Sequence, residues 1–253
     1  MTADPLLAAD ELPPYETFNA EGRAPILLIC DHASRRIPRE LRGLGLAERE
    51  LSRHIGWDIG AADVTRHMAL QLGAPALLAG YSRLVVDCNR HLHDATLIRA
   101  VSDGTAIPGN TDLTPADRQA RLDALYHPYH QAIARRLDAF AAGGITPTLL
   151  AIHSCTPEMA GQFRPWHIGI CWDSDRRIAG PVMDALDRVP DIVVGDNQPY
   201  ALDRREDYSV PNHAMDRGLP HLQVEFRQDL VATPADARRW ADILLAALPK
   251  VVA

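Results

Sequence analysis

The sequence predicts an α/β protein with a mixed, mostly parallel sheet and helices on both faces of that sheet. Short apolar runs alternate along the chain with longer segments of helical periodicity, the pattern of strand–helix–strand units. Two runs, 25–31 and 147–153, are almost continuously apolar, as expected of strands buried on both faces. The chain has 253 residues, 47% of them hydrophobic, and no low-complexity linker divides it. We therefore expect a single domain over residues 1–253.

The first half of the chain is expected to begin with an irregular lead-in, because these residues are polar and include prolines. The helix after the first strand is supported by an apolar stripe at helical spacing, and Gly73-Ala74-Pro75 ends it. A later segment is rich in Gly, Asp, Thr and Pro, which is typical of a long and often functional loop. The expected elements are the lead-in 1–22, strand 25–31, helical pieces around 38–54, helix 58–72, strands 76–80 and 83–87, and the loop 91–113.

The second half is expected to begin with a long helix at Thr114-Pro115-Ala116-Asp117. Thr can cap a helix, Pro suits the first turn, and Asp favours the positive helix end. Pro128 is expected to break or kink this helix, and Gly143-Gly144 to end it. The expected elements are helix 114–142, strands 147–153 and 166–172, helix 176–188, strands 191–195 and 221–226, and a C-terminal helix from Thr233-Pro234.

Composition argues against several functional classes. The net charge of −7 gives no whole-chain case for nucleic-acid binding. The longest apolar runs are too short to span a bilayer, and the first residues lack the pattern of a signal peptide. The four cysteines are widely spaced without a C-x-x-C pair, which predicts buried, reduced thiols and a cytoplasmic location: Cys30, Cys88, Cys155 and Cys171.

Each of the two apolar runs delivers a histidine, His32 after the first and His153 at the end of the second. Active sites of open α/β sheets lie outside the carboxyl ends of the strands, where two imidazoles can bind one catalytic Zn²⁺. Asp58, at the start of the predicted helix 58–72, can complete a site of two histidines and one carboxylate. Two alternatives stay open. Asp58 could merely cap its helix, and Asp31 or Asp87 could supply the carboxylate instead.

Glu225 is the candidate general base. It lies inside the alternating segment Leu222 to Arg227, where a carboxylate is costly unless it is paired or functional. Beside a zinc-bound water it could take a proton and later pass it to a leaving amine. The alternative is an ion pair with Arg227 or another arginine.

Paired arginines suggest where a substrate carboxylate would bind. Arg83 and Arg90 lie in the segment Tyr81 to Arg90, and their forked N–H donors suit a carboxylate. Asp87 could orient one of them, although a surface Arg–Asp pair is the other interpretation. His167, at the start of a predicted strand, is a further candidate for the lining. Residues of the 91–113 loop and of segment 155–166 are expected to line the pocket and to determine which acyl group and amino acid it accepts.

Over roughly residues 25–245, the chain resembles the N-formylglutamate amidohydrolase family, which is related in fold to zinc carboxypeptidases. Each motif is weak alone, but their order and number make the resemblance specific at the family level. The motifs are Asp31-His32-Ala33-Ser34 with Ile37-Pro38, Trp57-Asp58-Ile59-Gly60-Ala61, Tyr81-Ser82-Arg83, Asp87-Cys88-Asn89-Arg90, Pro128-Tyr129-His130, Ile152-His153-Ser154, Arg164-Pro165-Trp166-His167-Ile168-Gly169, Gly195-Asp196-Asn197-Gln198-Pro199-Tyr200 and Gln223-Val224-Glu225.

The resemblance implies a zinc amidohydrolase of phosphorylase/hydrolase-like fold that cleaves a small N-acylated amino acid such as N-formylglutamate. By analogy His32, Asp58 and His153 would hold Zn²⁺, and Glu225 would be the base. Zinc carboxypeptidases carry their first two ligands as H-x-x-E, but here Arg35 follows His32 by three residues. The carboxylate must therefore come from elsewhere, and related cell-wall amidases take it from a following helix.

The resemblance also implies roles in substrate binding. The pair Asn89-Arg90 resembles the Asn-Arg pair with which zinc carboxypeptidases grip a substrate carboxylate. Arg83 resembles an arginine that polarises the scissile carbonyl, and Arg164 and His167 are expected to contact the substrate. The donor set does not separate Zn²⁺ from Mn²⁺ or Co²⁺.

Other functions fit parts of the same pattern. One is an amidase or carboxypeptidase acting on a peptide or cell-wall fragment. Another is a ligand-binding relative that has lost turnover, although such a protein need not retain a base like Glu225. A nucleotide-binding protein is disfavoured, because neither G-x-G-x-x-G nor G-x-x-x-x-G-K-[ST] follows the first strand.

Overall fold

A seven-stranded mixed sheet is the centre of the computed structural model, which describes residues 5–249. The strands are β1 (Tyr15–Phe18), β2 (Ile26–Cys30), β3 (Ala76–Ala79), β4 (Val101–Ser102), β5 (Thr105–Ala106), β6 (Thr148–Cys155), β7 (Glu158–Met159), β8 (Gln162–Phe163), β9 (Ile168–Cys171), β10 (Val194–Asp196) and β11 (His221–Arg227). The order in the main sheet is β1-β3-β2-β6-β11-β9-β10, while β4–β5 and β7–β8 are separate hairpins.

The central strands β3, β2, β6 and β11 are parallel, so their carboxyl ends lie at one edge of the sheet. The edge strand β1 runs antiparallel to β3, and β9 runs antiparallel to β11 but parallel to β10. Every residue of β2, β6 and β11 is buried, as expected of strands covered on both faces.

Helices cover both faces of the sheet. They are α1 (Glu48–Leu51), α2 (Ala61–Leu72), α3 (Pro115–Arg121), α4 (His127–Ala142), α5 (Ala179–Leu186), α6 (Ser209–His213) and α7 (Pro234–Ala247). One apolar cluster joins α2, α5 and α7 to one face, and a second joins α4 and α6 to the other. The expected α/β class, with a mixed, mostly parallel sheet and helices on both faces, is confirmed.

Two predictions about the elements were wrong, and the predicted 91–113 loop is correct except for a short hairpin. Residues 83–87 form a turn followed by irregular chain rather than a strand. Leu84, Val85 and Val86 bury their side chains in a third apolar cluster together with Leu122 and Tyr126. The lead-in is not irregular throughout, since β1 pairs with the edge of β3. The 91–113 loop contains the short hairpin β4–β5.

The long helix expected over 114–142 is interrupted, as expected, near Pro128. A π-helical turn over Leu122–Tyr126 separates α3 from α4 just before this proline. Pro128 lacks an N–H group, and its ring crowds the carbonyl four residues earlier, so the regular hydrogen-bond ladder cannot continue there.

The structure also bears on two predictions from composition. All four cysteines are free and buried, which confirms the expected reduced thiols. Among residues 5–249, no helix combines the length and the apolar character needed to cross a membrane.

Candidate active site

Two imidazoles and one carboxylate meet at the carboxyl edge of the parallel strands. His32 follows β2, His153 lies near the end of β6, and Asp58 lies in the turn before α2. The two imidazole rings have centroids 5.1 Å apart. Each of the three buried residues offers a ligand atom within 4.8 Å of the others. The strands therefore bring these three side chains to one point.

The Asp58 carboxylate faces the histidines rather than the helix. Its Oδ2 lies 3.3 Å from Nδ1 of His32 and 2.9 Å from Nδ1 of His153. Its backbone N–H donates to the carbonyl of His32 at 2.9 Å, which ties the turn to the end of β2. The N-cap of α2 is Gly60, and no side chain among residues 5–249 caps it. The alternative that Asp58 serves as a helix cap is therefore wrong.

A second carboxylate lies near the Nε2 atom of each imidazole. Nε2 of His32 is 2.7 Å from Oδ1 of Asp87, and Nε2 of His153 is 3.3 Å from Oδ2 of Asp31. A carboxylate near Nε2 favours a proton on that nitrogen, so Nδ1, which faces Asp58, is the ring atom that can take up a further proton or bind a cation. Asp31 and Asp87 thus lie on the far side of the rings and do not belong to the three-residue group.

Hydrogen bonds fix the Asp31 carboxylate in turn. Its Oδ1 accepts the hydroxyl of Tyr129 at 2.9 Å and that of Ser209 at 2.8 Å. Tyr129 comes from α4 and Ser209 from the start of α6, so both helices on this face of the sheet help to orient His153. The sequence assigns no role to Tyr129 beyond its place in the motif Pro128-Tyr129-His130, and nothing in the local pattern marks Ser209.

The charges of the three groups depend strongly on one another. Burial alone would raise the pKa of the Asp58 carboxyl, but His32 and His153 hold it far below its ordinary value. Burial would lower the pKa of His153, yet Asp31 and Asp58 raise it well above its ordinary value. The carboxylates therefore favour positive charge between them, whether from protons or from a cation.

This donor set fits a divalent metal ion. Two imidazole nitrogens and one carboxylate oxygen are the protein ligands of many catalytic zinc sites, which keep a fourth position for water or substrate. Carboxylates behind the ligating rings are also typical of such sites. The residues present are therefore suited to hold Zn²⁺ or a similar ion.

Glu225 lies beside His153 on the neighbouring strand. The two residues are paired in the parallel register of β11 and β6, so their side chains leave the sheet on the same face. Burial raises the pKa of Glu225 to about 7, although the nearby His153 opposes this rise. Its Oε2 is buried and has no hydrogen-bond partner among residues 5–249. Arg227 pairs with Asp229 at 2.8 Å, so the alternative ion pair between Glu225 and Arg227 is wrong.

A cavity of about 670 Å³ opens above this edge of the sheet. His32, Asp58, His153 and Glu225 all line it. The 91–113 loop contributes Arg99, Ser102 and Asp103, and segment 155–166 contributes Cys155, Thr156 and Met159. Arg99 lies in the 91–113 loop that was expected to line the pocket, but no local pattern marks it as an individual residue.

Arg83 and Arg90 line the cavity, but both also contact carboxylates. Arg83 donates two hydrogen bonds, of 2.9 and 2.7 Å, to Oδ2 of Asp87, and its Nη1 is 3.6 Å from Asp58. Nη1 of Arg90 donates to the backbone carbonyl of Asn89 at 2.8 Å and lies 3.6 Å from Asp207. Both guanidinium groups are therefore held in place at the cavity wall.

Asn89 lines the cavity as well, but its side-chain amide is occupied by the protein. Its Nδ2 donates to Asp207 at 2.9 Å, and its Oδ1 accepts the backbone N–H groups of Tyr208 and Ser209. These bonds hold the start of α6 against the segment that carries Arg90.

Arg164 and His167 lie outside this lining. Arg164 donates to the hydroxyl of Tyr200 at 2.8 Å, and Tyr200 itself lines the cavity. Nδ1 of His167 accepts the backbone N–H of Val193 at 2.9 Å, and its ring lies 5.9 Å from that of Trp240. Arg164 thus contacts a lining residue without lining the cavity itself, and His167 does not line the cavity.

Comparisons with known proteins agree with this fold. A family model described as N-formylglutamate amidohydrolase matches residues 24–232. A crystal structure of a gene product from Agrobacterium tumefaciens is 32% identical, with a TM-score of 0.91 over 96% of this chain and 97% of that chain. The crystal structure of N-formylglutamate amidohydrolase from Ralstonia eutropha is 20% identical, with a TM-score of 0.67 over 93% of this chain and 96% of that one, which shows a shared fold.

An N-formylglutamate deformylase from Pseudomonas putida is 32% identical over 129 residues. This match covers 47% of the present chain and 47% of that protein, so it spans about half the length of this relative. The family model covers a much larger share, from before β2 to beyond β11. The chain therefore belongs to the N-formylglutamate amidohydrolase family.

Proposed function

We propose that the protein is a metal-dependent hydrolase that cleaves the amide bond of a small N-formyl amino acid such as N-formylglutamate. The observation that carries this proposal is the buried group of His32, Asp58 and His153 at the wall of a cavity, with Glu225 beside it. Membership of the family and the resemblance to a deformylase support the choice of substrate.

His32, Asp58 and His153 would hold one Zn²⁺ ion. Such an ion supplies Lewis acidity, which lowers the pKa of a water molecule and polarises a carbonyl oxygen. Asp87 and Asp31 would keep the two imidazoles in the orientation that this role requires.

Glu225 would move the proton. A carboxyl group with a pKa near 7 can accept a proton from the attacking water and then give it to the leaving nitrogen. The water oxygen bonds to the formyl carbon, the C–N bond breaks, and the nitrogen leaves with the proton from Glu225. The products are formate and the free amino acid.

Two arginines would position and stabilise the substrate. Arg83 would stabilise the negative charge that develops on the formyl oxygen, since Asp87 holds its guanidinium at the cavity wall. Arg90 would bind the α-carboxylate. Within residues 5–249 only its Nη1 donates hydrogen bonds, which leaves Nε and Nη2 for the substrate.

The test is hydrolysis by the purified protein before and after metal removal. N-formylglutamate, N-acetylglutamate and short peptides are supplied, and formate and free amine are measured. We expect release of formate and glutamate from N-formylglutamate, loss of this activity with a chelator, and recovery with Zn²⁺. Faster cleavage of peptides would favour the amidase or carboxypeptidase function. No hydrolysis of any substrate by the metal-loaded protein would contradict the proposal.

A further inference from the structure

Three arginines line the cavity, and Arg99 differs from the other two. Arg83 is bound to Asp87, and Arg90 lies beside Asp207. The Arg99 side chain makes no hydrogen bond or ion pair with any of residues 5–249, and its Nε is buried without a partner. Burial, reinforced by the nearby Arg83, lowers the pKa of Arg99. Arg99 is half-buried, and a guanidinium whose buried Nε lacks an acceptor is costly, so this position suits an anionic ligand.

The backbone around Arg99 is held on both sides. The carbonyl of Leu97 accepts the N–H of Asp87 at 2.8 Å, and the carbonyl of Ala100 accepts the N–H of Ile107 at 2.8 Å. The carbonyl of Arg99 itself accepts Nδ2 of Asn110 at 2.7 Å. The loop therefore presents Arg99 from a fixed position, although most of it lies outside regular secondary structure.

A buried arginine fixes Asn110 in turn. Arg121, which is 2% exposed, donates to Oδ1 of Asn110 at 2.6 Å and to the carbonyls of Gly109 and Val85 at 2.7 and 3.1 Å. Asn110 also donates to the carbonyl of Leu84 at 2.8 Å. This network connects the Arg99 loop to the segment that carries Arg83. A binding residue supported in this way loses little conformational entropy when its ligand arrives.

We propose that Arg99 binds the side-chain carboxylate of the substrate and so selects N-formyl amino acids with an acidic side chain. The inference rests on the proposed function, in which Arg90 binds the α-carboxylate that every N-formyl amino acid carries. A second carboxylate is present only when the side chain is acidic. Arg99, as the cavity arginine without a carboxylate partner among the described residues, is the group with donors free to bind it.

The test compares two nearly isosteric substrates, N-formylglutamate and N-formylglutamine, in wild type, Arg99→Gln and Arg99→Met. Arg118→Gln is the control, because that guanidinium donates to the carbonyl of Leu92 at the surface. Steady-state kinetics gives KM and kcat, and calorimetry gives the Kd of each compound. We expect the wild type to prefer N-formylglutamate. Both Arg99 variants should raise KM and Kd for it by roughly 10- to 100-fold, with little change for N-formylglutamine.

Equal losses for both compounds in folded Arg99 variants would overturn the inference, as would a wild type that does not prefer the acidic substrate. If the wild type hydrolyses neither compound, the proposed function fails and the Kd values decide the role of Arg99. In that case, Arg99 variants that bind N-formylglutamate more weakly than the wild type, but N-formylglutamine equally well, would still support the role of Arg99. A wild type that binds both compounds equally, or binds neither detectably, would overturn that role.

Discussion

Each imidazole at the candidate metal site lies between two carboxylates. Asp58 lies near both Nδ1 atoms, while Asp87 and Asp31 lie behind His32 and His153. This arrangement fixes the ring orientation before any ligand arrives, so an ion would meet donors that are already aligned. The roles of these side chains as metal ligands stay a prediction from the geometry.

At the residue scale, we predict that Glu225→Gln keeps metal binding but lowers turnover of N-formylglutamate by roughly 10²-fold or more. Glutamine preserves the shape of the side chain but cannot accept the proton, and general acid–base catalysis contributes about this factor. The measurements are kcat and metal content per chain.

The matched control is Asp229→Asn, which removes a carboxylate just beyond β11 that pairs with Arg227. It should leave turnover close to that of the wild type. Near-normal turnover in Glu225→Gln would exclude Glu225 from the reaction, and loss of metal in that variant would make it a ligand instead.

At the scale of single elements, the start of α2 determines where Asp58 can lie. Gly60 has φ of +80°, and a Cβ at this position would lie 2.1 Å from the carbonyl oxygen of Val231. Only glycine therefore lets the chain turn from Asp58 into the helix so close to the segment after β11. The same helix ends at Gly73, with φ of +62° and open space where a Cβ would lie.

We predict that Gly60→Ala lowers the free energy of unfolding by about 3 kcal/mol, whereas Gly73→Ala lowers it by about 1 kcal/mol. Both variants place alanine in a left-handed conformation, but only the first adds a steric clash. Denaturant unfolding of the two variants and the wild type measures the difference. Equal losses in both variants would mean that the backbone near Val231 moves away at no cost.

The elements also show what a single sequence could predict. The runs at β2 and β6 were predicted within about two residues, because continuous apolar sequence leaves few alternatives to a buried strand. The apolar residues Leu84 to Val86 looked similar but pack in a separate cluster, a distinction that depends on long-range contacts. β1 was missed for the same reason, since pairing with β3 rather than its own pattern makes it a strand.

The candidate site also has a part that the sequence predicts and a part that depends on long-range contacts. The positions of His32, His153 and Glu225 in their apolar segments predict metal-binding and catalytic roles from the sequence alone. The partners of these side chains come from distant parts of the chain, such as Tyr129 and Ser209 behind Asp31. Such supports are ordinary side chains in sequence, and only the fold brings them together.

At the scale of the whole molecule, a buried pair of histidines joins α4 to the end of α6. Nε2 of His130 lies 2.9 Å from the carbonyl of Cys88 and must donate to it, so Nδ1 of the neutral ring accepts from Nε2 of His213 at 2.9 Å. Burial, with His213 adding to it, lowers the pKa of His130 to about 3, and burial lowers that of His213 to about 4. Both rings are therefore neutral in the folded protein at neutral pH.

We predict that this pair contributes a fall in the free energy of unfolding as the pH drops from about 6.5 towards 4.5, opposed in part by Glu225, whose raised pKa has the reverse effect. The unfolded chain protonates these imidazoles near their ordinary pKa of about 6.5, while the folded chain does not, so acid favours unfolding. Each imidazole contributes a slope of up to about 1.4 kcal/mol per pH unit below 6.5. Denaturant unfolding of wild type and His130→Gln at several pH values measures this slope, which should be shallower in the variant. An unchanged slope would mean that the pair is already charged in the folded protein.

The central claim is that His32, Asp58 and His153 form one metal site. The most direct measurement is a calorimetric titration of the metal-free protein with Zn²⁺, in wild type, His153→Gln and His167→Gln. The last variant is a matched control, since His167 bonds to the backbone of Val193 outside the cavity. We predict one tightly bound ion per chain in the wild type and in His167→Gln, and loss of this binding in His153→Gln. Equally tight binding in folded His153→Gln, or no stoichiometric binding in the wild type, would contradict the claim.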